Sequence, residues 1–288
     1  MKKKLVMLFL VINVIASCTT VKASSKMRNL FTDTITSENN PTEISYLYDN
    51  PESSISPEEL SEYLGLEAGK TYLTEDILNY ICQSDFENIY EELQIFINTT
   101  DNLNVDLINQ KAAELLTYAS EANKKTKRLP ELYDHLNSEE KKLVALYPGH
   151  AVVVYSCSKK ALSESQRIYN NNVNALTNGN GDAFRHAFWN VLMTVNFSFQ
   201  QTYVDVNVGA NIAKLFADAH ESESNGLPKE MDLYNNMVGR NIARNQFDGT
   251  WFPSESSLSN IVLSEVKNGK MKRISNGRLC ATDSKMNW

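Results

Sequence analysis

Between Asp182 and Val195 the chain keeps the period of an α-helix but leaves no face suited to water. At 100° per residue, Ala183, Phe184, Ala187, Phe188, Val191, Leu192 and Val195 share one side. Asp182, Arg185, His186, Trp189, Asn190 and Met193 share the other. Exposed helix is ordinarily built from Lys, Glu and Gln, so a polar side that includes Trp and Met has to be covered. Asp182, His186 and Asn190 form an i, i+4, i+8 line with Arg185 and Trp189 beside it. A helix of this kind needs other helices around it.

Two later segments answer it. In "VGANIAKLFADAHESE" the apolar arc runs through Ile212, Ala213, Leu215, Phe216, Ala217 and Ala219. His220 falls inside that arc and is predicted buried or half-buried, whereas Lys214, Asp218 and Glu221 fall opposite. In "EMDLYNNMVGRNIA", Met231, Val238, Ile242 and Ala243 mark the arc, with Asp232, Asn235 and Asn236 in it or at its edge. Gly239 removes a side chain where another helix can come close. Burying an unpaired carboxylate is prohibitive, so Asp232 must meet a cation, a metal or several donors. The expectation is one polar centre between helices, with Arg185, His186 and His220 facing Asp182, Asp232 and Glu221.

These blocks, "GDAFRHAFWN", "ADAHE" and "MDLYNNMVGR", resemble a bacterial domain-of-unknown-function family found in secreted, cell-surface and lipoprotein-type proteins. The resemblance runs over about residues 135–270. It implies a mostly helical domain in which Asp182, Arg185, His186, Trp189, Asn190, His220, Glu221, Asp232, Asn235, Asn236, Gly239 and Arg240 occupy signature positions. It implies no reaction.

The chemistry compatible with these residues is hydrolysis of a phosphoester or ester. One version binds a divalent metal such as zinc through His186, His220 and Asp232, with Asp182 or Glu221 as fourth ligand or base. A metal-free version pairs His186 with Asp182 or Asp232 and lets Arg185 hold an anionic group. Trp189, Asn190, Asn235 and Asn236 are then expected to line the cofactor or ligand site. The spacing is not HExxH, since Glu221 directly follows His220 and points about 100° away. The rival is a non-catalytic surface module: Asp182 caps its helix, Arg185 pairs with Asp232, and the remaining polar groups serve fold specificity. Serine chemistry lacks an elbow motif, and there is no phosphate-binding glycine loop.

The amino-terminal end predicts export of this domain. "MKKKLVMLFLVINVIASC" has a basic tip, an apolar run from Leu5 to Ile15 and small residues, the layout of an export signal. Ile15–Ala16–Ser17–Cys18 resembles the lipobox of bacterial lipoproteins. That implies cleavage before Cys18, lipidation of Cys18 and a protein tethered to a cell-envelope membrane. Losing residues 1–17 removes Lys2, Lys3 and Lys4 and no acid, taking the formal charge from −7 to −10. Such an acidic domain is unsuited to sequence-blind nucleic-acid binding; a small-molecule or envelope ligand is the expected partner. Cys82, Cys157 and Cys280 are too few and too scattered for a disulfide framework or zinc cluster.

The expected organisation is a signal at 1–17, a polar tether at 18–55, a smaller helical region at 56–128 and the helical signature domain at 129–288. Within 56–128, Pro57 opens a helix, Thr74 caps a second, and a longer helix from Asp101 is expected to bury Ile108, Ala112, Leu115 and Ala119. Its end carries Lys124, Lys125, Lys127 and Arg128, as helix C-termini favour. Farther on, Asn137 or Ser138 caps a helix that Pro148–Gly149 stops. In "HAVVVYSCSKKALSESQRIY", Val152 to Tyr155 would suit a strand, but Val154, Cys157, Ala161 and Ile168 keep helical spacing, and a helix is expected. "NNNVNALTNGNG" is expected to be a loop. Beyond Trp251, the expectation is a capped helix, an Asn268–Gly269 turn and a short extended end. The fold class is therefore mainly α.

Overall fold

Proline at first helical positions, Asn and Ser caps, and Asn or Gly in left-handed turns cut this chain into short rods. The computed structural model describes residues 54–126, 136–198 and 205–285. The signal, Cys18, all of the tether but its last two residues, Lys127, Arg128 and His135 lie outside them. Eleven helices account for 71% of the described residues, so the protein is mainly α. The chain forms two compact units, with the division falling between Ser156 and Cys157, inside one helix.

The first unit holds α1 (Pro57–Leu64), α2 (Glu75–Leu78), α3 (Gln83–Thr99), α4 (Val105–Thr126), α5 (Ser138–Leu146) and the start of α6 (Pro148–Ile168). Its core is made by Leu60, Ile81, Phe86, Leu93 and Leu116, all fully buried. The expected arc on α4 is off by one position. Ala112 is buried, but Ile108, Leu115 and Ala119 are only half-buried, and Asn109, Ala113, Leu116, Ser120 and Asn123 turn inward. Side-chain hydrogen bonds cause the rotation. Asn109 accepts from the Gly149 amide, Ser120 donates to the Ile77 carbonyl, and Asn123 donates to that of Tyr80. Asn137 caps α5 in a reciprocal capping box with Glu140. Pro148 follows one residue later and opens α6 instead of simply closing α5, because a missing N–H costs nothing in a first turn.

The second unit continues from Cys157 with the rest of α6, then α7 (Val173–Leu176), α8 (Asn180–Ser198), α9 (Val206–His220), α10 (Gly226–Gln246) and α11 (Glu255–Lys267). It closes with an antiparallel hairpin, β1 (Lys272–Ser275) and β2 (Arg278–Ala281). The stretch expected to be a polar loop contains α7, capped by Asn172 through the amides of Asn174 and Ala175. The capped helix expected beyond Trp251 is α11, and its cap is Ser254, accepting from the Ser257 amide. The hairpin turns on Asn276–Gly277, both at positive φ, the pairing that a tight two-residue turn requires.

Helix α8 packs against α9, α10 and α11 and also meets β1. Sixteen of its nineteen residues are buried, which is why its sequence carries no solvent face. Phe184 and Phe188, 5.4 Å apart, fill one side; burial of each side chain contributes about 2 kcal/mol. Beside them, at Ala187 and Thr194, the helix touches its neighbours almost backbone to backbone. A Cβ on Gly239 of α10 would lie 2.1 Å from the Ala187 carbonyl oxygen, and one on Gly209 of α9 would lie 2.4 Å from that of Thr194. Gly239 thus has the role its sequence position predicts. The close approach lets short side chains on three helices reach one another.

Candidate metal centre

Asp182 sits in the first turn of α8, where N–H groups still lack partners. Its Oδ2 accepts from the Asn178 amide at 2.7 Å, and its Oδ1 lies 2.5 Å from Arg185 Nη2. That second contact is close but misaligned for a hydrogen bond. Arg185 therefore pairs with Asp182, one turn away, and not with Asp232. Its Nη2 also lies 3.2 Å from His186 Nε2, and its side chain remains 33% exposed.

His186 is the hub. Its Nε2 lies 3.5 Å from Asp182 Oδ1 and 3.4 Å from Asp232 Oδ1, while its Nδ1 lies 3.7 Å from Glu221 Oε1. Burial, helped by Arg185 and His220, holds its pKa well below the usual histidine value, so the ring is neutral. The acids are pushed the other way. Burial raises Asp182 and Glu221, and burial together with the Asp182 and Glu221 charges raises Asp232 to about 8. Asp182 Oδ1, Asp232 Oδ1 and Glu221 Oε1 all lack an aligned donor. Buried carboxylate oxygens in that state are rare and call for a proton or a cation.

Two placements reverse the helical-wheel expectation. His220 is exposed, whereas Glu221, expected on the far side, is 2% exposed. The cause is the end of α9. His220 is its last residue and Glu221 its C-cap, so the backbone leaves the helical path there and wheel geometry no longer applies. His220 instead packs roughly perpendicular to buried Trp189, 5.3 Å between ring centroids. The residues able to share one cation are accordingly Asp182, His186 and Asp232, with donor atoms within 4.8 Å of one another. In that set Asp182 takes the place expected for His220.

The asparagines divide into two groups. Asn190 donates to Asn236 Oδ1 at 2.7 Å and to the His186 carbonyl at 3.1 Å, and accepts from buried Arg240 at 2.6 Å. Asn236 in turn stands beside the His186 ring, without an aligned hydrogen bond to its Nδ1. This network underpins the hub. Asn235, although fully buried, does not take part in it: its carboxamide accepts from the Lys272 amide and donates to the Lys272 carbonyl, both at 2.9 Å. It anchors β1 to α10. The Ile274 amide likewise donates to the Asn178 carbonyl at 2.8 Å, at the residue whose own amide serves Asp182. These hairpin supports were missed in the sequence, although Asn276–Gly277 is a recognisable hairpin signal.

No curated protein and no solved structure matches this chain. All the residues of the centre lie inside the stretch that a family model recognises: residues 141–270 match DUF6973, a domain of unknown function.

Proposed function

We propose that the protein is an exported hydrolase, lipid-tethered at Cys18, whose buried centre holds a divalent cation such as zinc and cleaves a phosphoester or ester. The observation that carries this reading is the convergence of Asp182 Oδ1, Asp232 Oδ1 and His186 on one buried point, both oxygens short of a donor. Ionised, Asp182, Asp232 and Glu221 against Arg185 leave two negative charges around a neutral ring. One dication balances them.

Asp182, His186 and Asp232 fit such an ion in type and number, three protein donors being the usual set where a position stays open for water or substrate. The ion supplies Lewis acidity, polarising a phosphoryl or acyl oxygen and acidifying water. Arg185, partly exposed beside the donors, holds an anionic oxygen of the substrate. Buried Trp189 keeps bulk water from the inner side of the centre, and the Arg240–Asn190–Asn236 chain holds the ring against α10.

A non-catalytic surface module is the second reading, favoured by the hold of Asp182 on the Asn178 amide and Arg185, a helix-start clamp useful without chemistry. Metal analysis and melting with and without chelator separate the two, combined with turnover of chromogenic phosphodiesters, phosphomonoesters and carboxyl esters. The hydrolase binds about one metal per chain, melts lower after chelation, and loses turnover in a folded His186→Ala protein. A metal-free, chelator-insensitive protein without turnover on any of the three ester classes overturns the proposal. Mass spectrometry of Cys18 tests the tether, and an unmodified, untruncated N-terminus refutes it.

A further inference from the structure

Arginine has only donors, so the 3.2 Å contact between Arg185 Nη2 and His186 Nε2 requires Nε2 to be the acceptor. A neutral imidazole carries one proton, which then resides on Nδ1. That N–H faces Glu221 Oε1 at 3.7 Å. Neither Nδ1 nor Oε1 has an aligned hydrogen bond to any other group, and both side chains are buried. Asn236 Oδ1, also beside the ring, already accepts from Asn190, whereas Oε1 has no donor of its own, so Oε1 is the natural partner of Nδ1.

We propose that Glu221 is a positioning residue, accepting the Nδ1 hydrogen of His186 and so keeping the Nε2 lone pair turned toward Asp182 and Asp232. The separation exceeds a formed hydrogen bond, and a small turn of the imidazole closes it, as happens when such sites fill. The local fold explains why Glu221 is available. As C-cap of α9 it is fastened by its own amide to the Ala217 carbonyl, which aims its side chain inward while its neighbour His220 faces out. A carboxylate in this place does for histidine what outer carboxylates do at metal centres generally: it sets ring orientation and tautomer. Glu221 is thereby assigned a place outside the ligand set, and neither ligand nor base. The part of this inference that concerns a bound ion rests on the proposed function; the tautomer does not.

Nitrogen-15 NMR of histidine-labelled full-length protein reads the tautomer directly, with His186 assigned through a His186→Gln variant. The expected wild-type result is a protonated Nδ1 and an unprotonated Nε2 before any metal is added. Glu221→Met, similar in size but without an acceptor, shifts the ring toward the other tautomer, and Glu221→Gln, which keeps a carbonyl oxygen, restores it. Zinc titration of the same proteins gives a tenfold to hundredfold loss of affinity in Glu221→Met and a smaller one in Glu221→Gln. A wild-type ring protonated at Nε2 overturns the inference, as does Glu221→Met with unchanged tautomer and unchanged zinc affinity. If wild type takes up no zinc while the tautomer still follows residue 221, positioning stands and the metal reading falls. If Glu221→Met does not fold, the wild-type shifts alone decide.

Discussion

Both units bury carboxylates among helices, but only one of them satisfies what it buries. In the first, Asp85 accepts from the Cys82 amide at 2.8 Å and from Asn123 at 2.9 Å, finishing the first turn of α3. Glu140 closes the capping box of α5 and accepts from Tyr155. In the second unit, Asp182, Glu221 and Asp232 come from three different elements, crowd one imidazole, and each keeps an oxygen with no aligned donor. A carboxylate that completes a turn serves local geometry. Carboxylates that face one another without donors are what the proposed cation would neutralise.

The contrast can be broken most forcefully at Gly239. Any side chain there meets the Ala187 backbone, which cannot swing aside, so Gly239→Ala is expected to cost more than about 3 kcal/mol. Chemical denaturation followed by Trp fluorescence should show the second unit destabilised. A loss under about 1 kcal/mol would mean that α8 and α10 do not need their close approach.

The first unit has its own titrating group. Burial lowers His150 to about 4. Between about pH 6.5 and 4 the unfolded chain binds a proton that the folded one refuses, so stability is complete above this window and falls on acidification. The expected loss is about 3 kcal/mol, read as faster amide exchange in α4 and α6 at pH 4.5 than at pH 7 after correction for intrinsic rates. His150→Gln should flatten that dependence.

Neutralising one acid in each unit is expected to have opposite signs. Asp85→Asn removes a charged acceptor from two donors and should destabilise by about 2 kcal/mol. Burial and neighbouring acids force Asp232 to take up a proton at neutral pH in chelator-treated protein, a cost that Asp232→Asn removes. The variant should therefore be more stable by about 1–2 kcal/mol, while taking up no metal. Equal destabilisation at both positions would show that the second cluster is structural after all. The smallest effect, about 1 kcal/mol, is expected for Asn235→Ala, which frees β1 from α10 without touching His186. Its readout is faster amide exchange at Lys272 with unaltered His186 shifts.

Much of this is legible in the sequence. The doubly buried α8, the inward Asp232 and Asn236, the close approach at Gly239 and the helical period of α6 follow from side-chain spacing within single elements. The errors lie where an element ends or where polar groups compete for the interior. His220 and Glu221 exchanged places because α9 stops between them. The arc of α4 turned by one position because Asn109, Ser120 and Asn123 had backbone partners on other segments. Asn235 looked equivalent to Asn236 on the helix and is tied to a hairpin thirty-odd residues away.

The sequence alone determined which helices had to be covered and which of their polar residues had to face inward, because periodicity and the cost of burying charge act within one segment. Tertiary structure decided the partners: Arg185 with Asp182, Glu221 at His186 Nδ1, Asp182 in the place expected for His220. Those choices depend on helix ends, crossing distances and the removal of side chains at Gly209 and Gly239, and none of these is a property of a single helix.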